Sequence, residues 1–287
     1  MGIQKENFIR KLMKLILRRL GLFELALQFY SGGQGVSAIR NILHSIWLRF
    51  RERINGQPVP QSGLLFLVAG TTDVHWFIHS GKLAFESIHG VLRRNRIAVD
   101  DLSSILDFGC GCGRVIRHWR NVKNLKLFGT DYNSRLIAWC KSNLPFADFV
   151  VNNLNPPLKY NNDEFDFVYA LSIFTHLPEH LQYLWMYELR RVIRPGGYLF
   201  ITTHGRYYLS KLNPINQEIF RNDQLVVLHS ESEGTNQCAS FHPEKYVRDK
   251  LADGFEVLDF VPEGAKGNPW QDVSCFKRSS PKKGWPE

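Results

Sequence analysis

Short runs of apolar and β-branched residues recur through residues 101–278, separated by longer stretches whose apolar residues fall three and four apart. The runs are Ser104–Asp107, Leu125–Asp131, Phe149–Val151, Glu164–Ser172, Tyr198–Thr202, Phe255–Val261 and Asp272–Lys277. Nearly continuous apolar runs of this length fit strands buried on both faces of a sheet. Between them, Val115, Ile116 and Trp119 open one helix and residues 134–142 a second. Glu179–Val192 forms a third, with Leu181, Leu184, Trp185, Leu189 and Val192 on one face, and Glu244–Ala252 a fourth. Strands alternating with helices predict an α/β sheet that is mostly parallel, and the last two strands form an antiparallel hairpin. Arg194-Pro195-Gly196-Gly197 reads as a chain reversal between helix and fifth strand, and residues 203–241 follow no period. An irregular insertion at that point is a natural place for a substrate pocket.

Upstream the pattern changes. Residues 5–19 place Phe8, Leu12, Leu15 and Ile16 on one helical face and Lys11, Lys14 and Arg18 on another. Gly32, Gly33 and Gly35 form a hinge, a second basic helix runs over Val36–Arg53, and residues 55–60 read as a linker. The apolar run Leu64–Gly70 fits either helix or strand, and residues 82–96 read as a helix leading into the first strand. The chain therefore divides into a basic helical extension (1–57), a lead-in that either covers the site as a lid or packs on the sheet (58–100), an α/β domain (101–278) and a polar tail (279–287). Ten basic residues stand against three acidic ones in residues 1–54, so +7 of the chain's net +9 lies there. Such helices pack on protein or lie on an anionic membrane surface. No uninterrupted run approaches the roughly 18 apolar residues of a spanning helix, and no recognised nucleic-acid module is present. The five cysteines are scattered and odd in number, which fits a reducing, cytoplasmic compartment. Cys110 and Cys112 have no second pair at a zinc spacing, so no metal is expected.

The chemistry concentrates where the first strand ends, at Asp107-Phe108-Gly109-Cys110-Gly111-Cys112-Gly113-Arg114. A strand, a glycine turn and a following helix bring bare backbone N–H groups to a ligand. The dinucleotide fingerprint G-x-G-x-x-G differs in spacing, and position 114, where it requires glycine, holds arginine. A carboxylate in this turn repels a pyrophosphate and attracts an ammonium. The pattern Asp-x-Gly-x-Gly-x-Gly resembles motif I of the class I S-adenosylmethionine-dependent methyltransferases. The order of Asp131, Asn153, Phe174-Thr175-His176-Leu177 and Pro195-Gly196-Gly197 resembles the same superfamily, in particular its bacterial small-molecule members.

That resemblance implies a seven-stranded, Rossmann-like methyltransferase sheet and S-adenosyl-L-methionine as cofactor. It assigns Asp107, Gly109, Cys110, Gly111 and Gly113 to the cofactor's amino-acid end. Asp131, at the carboxyl end of the second strand, accepts from the ribose hydroxyls with Tyr132 beside it; the alternative is that Asp131 caps the next helix. Asn153, with the backbone of Leu154, meets the adenine, where many relatives carry aspartate. Ala170, Leu171 and Ser172 border the sulfonium. A hydroxyl acceptor also needs a base, and His176, His204 and His242 stand near strand ends. The sequence thus reads as a methyltransferase acting on a small molecule or saccharide, at oxygen. A catalytically silent cofactor-binding domain, recruited to a membrane or complex by its basic helices, is the alternative.

Overall fold

The computed structural model describes residues 58–232, 237–267 and 270–279. The readings made for the basic helices of residues 1–54 and for the tail beyond residue 279 lie outside them. The chain divides into two compact units, residues 1–74 and 75–287. In the described part of the first, the run that fitted either state is a helix, α1 (Ser62–Ala69). It stops at Gly70, whose left-handed φ of 63° lets its N–H donate to the Phe66 carbonyl at 2.8 Å.

Helix α2 (Val74–Arg94) leads into the second unit, starting eight residues before the stretch its sequence period marked. The sheet is built from β1 (Ser104–Phe108), β2 (Lys126–Asp131), β3 (Asp148–Val151), β4 (Phe165–Ala170) and β5 (Ile193–His204), parallel in the order β3-β2-β1-β4-β5. Helix α3 (Ser134–Asn143) links β2 to β3, and α4 (Glu179–Val192) links β4 to β5. The Asn133 side chain caps α3 by accepting the Arg135 N–H at 3.1 Å. After α5 (Pro214–Arg221), β6 (Val226–Leu228) and β7 (Ala239–Phe241) form an antiparallel hairpin. The short helix α6 (Glu244–Tyr246) runs on into one wide turn to Leu251. Strand β8 (Phe255–Val261) then pairs antiparallel with β9 (Gln271–Arg278), which itself pairs antiparallel with β5.

Apolar side chains fill both faces. On one, Ala84, Ile88 and Leu92 of α2 pack against Ile105, Trp119, Phe167, Tyr169 and Phe200. On the other, Leu181, Trp185 and Leu189 of α4 pack against Leu106, Phe165, Val168, Leu199 and Phe276. Burial of each large side chain is worth about 1.5–3 kcal/mol, so α2 and α4 clamp the sheet between them and fix the strand ends that carry the candidate site.

Three expectations change in detail. The residues after the glycine turn form only a short turn of helix, Ile116–His118. The buried Arg117 guanidinium explains this: its Nε donates to the Gly113 carbonyl at 2.9 Å and its Nη2 to the Cys112 carbonyl at 3.2 Å, drawing the chain back onto its own loop. Arg194-Pro195-Gly196-Gly197 is not a reversal outside the strand but a bulge within β5. Ile193 pairs with Phe165 and Tyr198 with Phe167, so four residues, 194–197, stand opposite Asp166 alone, with Gly196 at φ 77°. Arg194 there pairs with Asp166, whose carboxylate also accepts the Ser103 and Ser104 N–H groups at 2.6 and 2.9 Å. The segment 203–241 is ordered into α5 and the β6–β7 hairpin, so the described sheet has nine strands rather than seven.

Candidate functional site

Strand β1 delivers Asp107, 3% exposed, into the glycine turn. Gly109, Gly111 and Gly113 all adopt positive φ, at 78°, 56° and 66°. A side chain at 109 would also strike Ile173, which reaches over from the end of β4. The turn is tied to β2: the Gly109 and Cys110 N–H groups donate to the Thr130 carbonyl at 2.8 and 2.9 Å, and the Gly111 N–H donates to Asp131 Oδ2 at 2.9 Å. Cys110 and Cys112 are buried free thiols; burial pushes both thiols up, leaving them uncharged fillers of the loop.

Asp107 is the electrostatic centre of this turn. Burial raises its carboxyl to about 7, opposed by the Tyr169 hydroxyl and by Arg114, while the nearby Asp131 adds to the rise. Its Oδ2 is buried with no hydrogen-bond partner. Arg114 lies beneath, its Nη1 donating to Ser80 Oγ and the Gly267 carbonyl, both at 3.3 Å, and its guanidinium 5.8 Å from the Trp76 ring. The first turns of α2 thus lean on the glycine loop while its later turns pack on the sheet. A buried carboxylate with an unmet oxygen beside open backbone suits a ligand carrying an ammonium.

Asp131 does not cap α3, which Asn133 does. Its Oδ1 accepts the Asn133 N–H at 2.8 Å, and burial raises its carboxyl. Tyr132 and Asn153 are exposed beside it. Asn152 faces inward instead: Thr130 Oγ1 donates to its Oδ1 at 2.8 Å, and its Nδ2 donates to the Asn153 carbonyl at 2.6 Å. That leaves Asn153 and the backbone of Leu154 as the outward group at the end of β3.

At the end of β4, Ala170 is buried, Leu171 and Ser172 are half-buried, and Ser172 takes φ 58°. Its N–H donates to Thr202 Oγ1 at 2.8 Å and its Oγ to Gln271 Oε1 at 3.0 Å, while Thr202 Oγ1 donates to the same Oε1 at 2.7 Å. Three strands therefore hold one strained residue in place. Thr202 and Gln271 escaped the sequence reading because they lie 30 and 99 positions from Ser172 and carry no local pattern.

The histidines separate into a pair and a single residue. The rings of His176 and His204 stand 6.3 Å apart, edge to face, with His204 also 4.3 Å from the Tyr208 ring and 5.3 Å from Phe241. The β6–β7 hairpin covers this corner: β7 pairs with His204 past the end of β4, on the edge of β5 opposite β9. His176 Nδ1 lies 2.9 Å from the Cys238 carbonyl. A carbonyl only accepts, so Nδ1 carries the proton and Nε2 is left as a lone-pair acceptor. Burial lowers His176, and burial with the neighbouring His176 lowers His204 to about 4, so both are neutral near pH 7. His242 is fully buried, its Nε2 3.0 Å from Gln182 Oε1 in the layer between β7 and α4. Burial takes it to about 3, and it presents no surface to a ligand.

A cavity of about 460 Å³ opens beside β9, lined by Leu209, Phe220, Phe260, Arg206 and Asp272 among others. Its wall Phe260 packs with the α4-side cluster, whereas Asp107, Tyr169 and Trp119 belong to the α2 side. Its rim charges neutralise one another, as in Arg248 with Glu244 at 2.8 Å. It is a separate feature from the glycine turn. Among the described residues no cluster of ligating side chains suits a metal, and no helix is long and apolar enough to cross a membrane.

Residues 106–201 match a family described as a methyltransferase domain. The chain is 26% identical over 125 residues to the mitochondrial ubiquinone biosynthesis O-methyltransferase of Dictyostelium discoideum, covering 39% of this chain and 38% of that protein. It is 30% identical over 107 residues to the sterol 24-C-methyltransferase of Schizosaccharomyces pombe, covering 36% and 28%. The chain thus aligns with well under half the length of these relatives. Among solved structures, the 1,6-didemethyltoxoflavin-N1-methyltransferase of Burkholderia thailandensis, with bound S-adenosylhomocysteine, superposes with a TM-score of 0.51 at 15% identity. That match covers 76% of this chain and 86% of the other, and reflects a common fold.

Proposed function

We propose that this chain, a member of the class I S-adenosylmethionine-dependent methyltransferase superfamily, transfers a methyl group to an oxygen of a small molecule or saccharide. S-adenosylmethionine, when bound, supplies an electrophilic methyl on a sulfonium. This chain's residues fit it: Asp107 for the ammonium, Gly109, Cys110, Gly111 and Gly113 for close backbone approach, Asp131 and Tyr132 for the ribose, Asn153 and Leu154 for the adenine. Ala170, Leu171 and Ser172 flank the sulfonium. The relatives named above act on oxygen, on carbon and on a ring nitrogen, so the acceptor is argued from the site alone.

The observation that carries the oxygen reading is the neutral pair His176 and His204 at the ends of β4 and β5. His176 Nε2, unprotonated while Nδ1–H is held by the Cys238 carbonyl, would take the acceptor's hydroxyl proton as the oxygen–methyl bond forms and the methyl–sulfur bond breaks, the sulfur leaving as a neutral thioether. Tyr208 and Phe241 line the approach beside His204 with aromatic faces that suit a ring-shaped acceptor. Holding nucleophile, methyl and sulfur in line is otherwise a positioning task, which the Ser172–Thr202–Gln271 tie serves.

The test has two stages. Thermal unfolding with S-adenosylmethionine, S-adenosylhomocysteine and NAD reads the cofactor: ligand at about a hundred times its dissociation constant adds roughly 2.7 kcal/mol. A rise with the two sulfur ligands and none with NAD supports the reading; a rise with NAD alone sinks it. Isotope transfer from methyl-labelled cofactor into panels of hydroxylated and amine acceptors then reads the atom, and labelling of amines alone would overturn the oxygen assignment. The +7 charge of residues 1–54 further supports contact with an anionic membrane surface. Sedimentation with anionic vesicles, with and without that segment, tests it, and equal sedimentation would remove the idea.

A further inference from the structure

Three buried polar atoms on the α2 side of the sheet have no hydrogen-bond partner: Asp107 Oδ2, the Tyr169 hydroxyl and Trp119 Nε1. They are neighbours. Tyr169 of β4 lies directly opposite Asp107 of β1 in the parallel register, and its ring stacks on Trp119 at 6.2 Å with a 21° tilt. Although none of the three reaches ordinary hydrogen-bond geometry, the Tyr169 hydroxyl approaches Asp107 and the Trp119 indole approaches Tyr169 closely enough to lower each of those groups as a long hydrogen bond does, against the rise that burial imposes. Donor and acceptor senses run one way: an indole only donates, a carboxylate only accepts, and a phenol does both. A buried polar group without a partner costs about 1–3 kcal/mol, so three neighbours without one need a reason. A phenylalanine at 169 would fill the same space with one orphan fewer.

We propose that Tyr169 is a positioning residue for cofactor binding: its hydroxyl accepts the Trp119 indole N–H and donates to Asp107 Oδ2, aiming the ionised carboxylate at the cofactor's ammonium. This rests on the methyltransferase reading above, since it needs a ligand that bears an ammonium. A cation seated against Asp107 fixes the carboxylate's charge, and a charged acceptor draws the phenol proton more strongly than a neutral one. Tyr169 is buried and points into the α2-side layer with Trp119, so it supports Asp107 from behind.

The experiment compares two ligands on the full chain. S-adenosylhomocysteine carries the ammonium, whereas 5′-methylthioadenosine keeps the nucleoside and thioether but lacks the amino-acid end. Calorimetric titration of Tyr169→Phe should show S-adenosylhomocysteine weakened about tenfold or more, the effect of losing a hydrogen bond to a charged group, with 5′-methylthioadenosine unchanged. Trp119→Phe, which keeps a ring and removes only the N–H, should give a smaller loss of the same selectivity. Equal loss of both ligands would mean a merely structural tyrosine, and no loss of either would also overturn the proposal. Failure of the unaltered chain to bind either ligand would overturn the cofactor reading itself, so the two failures are told apart by the unaltered chain alone.

Discussion

Asp131 Oδ2 accepts the Gly111 N–H at 2.9 Å, so the end of β2 holds the middle of the glycine turn. The same carboxylate accepts the Asn133 N–H through Oδ1 at 2.8 Å. Asp131 therefore shapes the loop, apart from the ribose contact proposed for it. Replacing it with alanine strips two N–H groups of their acceptor, and an orphaned buried donor costs about 1–3 kcal/mol. At about 2–4 °C per kcal/mol for a chain of this size, Asp131→Ala should lower the unfolding temperature by several degrees in the absence of ligand. Asp131→Asn, which keeps one acceptor, should lose less. Equal unfolding temperatures for all three proteins would show that the contact contributes nothing.

The raised carboxyl of Asp107 makes a pH prediction with a definite sign. The folded, ligand-free protein keeps that proton up to about pH 7, whereas an unperturbed aspartate releases it near 3.8. Folded protein thus binds more protons between those values, and Asp107 makes stability fall as pH rises from about 4 to 7. An ammonium ligand reverses the preference, because it favours the ionised form. S-adenosylhomocysteine affinity should therefore climb with pH up to about 7, by as much as tenfold per unit, and level off above. Arg114, Asp131, Tyr169 and the Ile116 N–H are the groups that set the midpoint. Asp107→Asn should flatten the profile below 7 and weaken binding above it. A profile unaltered by that substitution would place the charge elsewhere.

Gly109 is constrained twice, by φ 78° and by the Ile173 side chain lying against its α-carbon. Gly109→Ala must both adopt a left-handed conformation, at about 1–2 kcal/mol, and push Ile173 aside. We expect measurable destabilisation together with a loss of S-adenosylhomocysteine binding. Coupling is the informative part: Ile173→Ala relieves the clash and should restore part of the stability in the double variant, but not the part owed to φ. Strict additivity of the two substitutions would show that the side chains do not meet in solution.

Where local pattern and tertiary demand agree, the chain was legible. Helix α4 runs from Glu179 to Val192 as its apolar spacing indicated, because Pro178 stops the chain before it and Leu181, Trp185 and Leu189 are spaced to bury together. The strands of the parallel sheet, the glycine turn and the closing β8–β9 hairpin follow from the same agreement. The remainder depended on partners distant in sequence. No periodicity announces that Arg117 will fold back onto Gly113, or that Arg194 will bind Asp166 and keep a proline–glycine run inside β5. The β6–β7 hairpin is short and pairs with only one residue of β5, so it leaves little trace in the sequence. In the candidate site, the residues proposed to meet the cofactor through backbone or carboxylate are visible in their motif. Of those that hold them from behind, Tyr169 and Thr202 read only as strand residues, and Gln271 lies one position before the strand that the sequence marks.

His176 and His204 face each other, yet their chemistry differs, and this separates their roles experimentally. His176 has its Nδ1 proton committed to the Cys238 carbonyl, so its Nε2 is a fixed acceptor. His204 is lowered to about 4 by burial and by its neighbour, which makes it a poor proton acceptor that stays neutral from pH 5 to 8. His176→Gln should therefore reduce turnover of a hydroxyl acceptor by about a hundredfold or more, the usual worth of a general base, without altering S-adenosylhomocysteine affinity. His204→Gln should act mainly on the acceptor's KM, since its ring packs with Tyr208 and Phe241, the aromatic faces proposed to meet the acceptor. Turnover measured against pH distinguishes them further: a pH-dependent limb that disappears in His176→Gln and persists in His204→Gln belongs to His176. A variant of His204 that loses turnover and keeps its KM would exchange the two assignments.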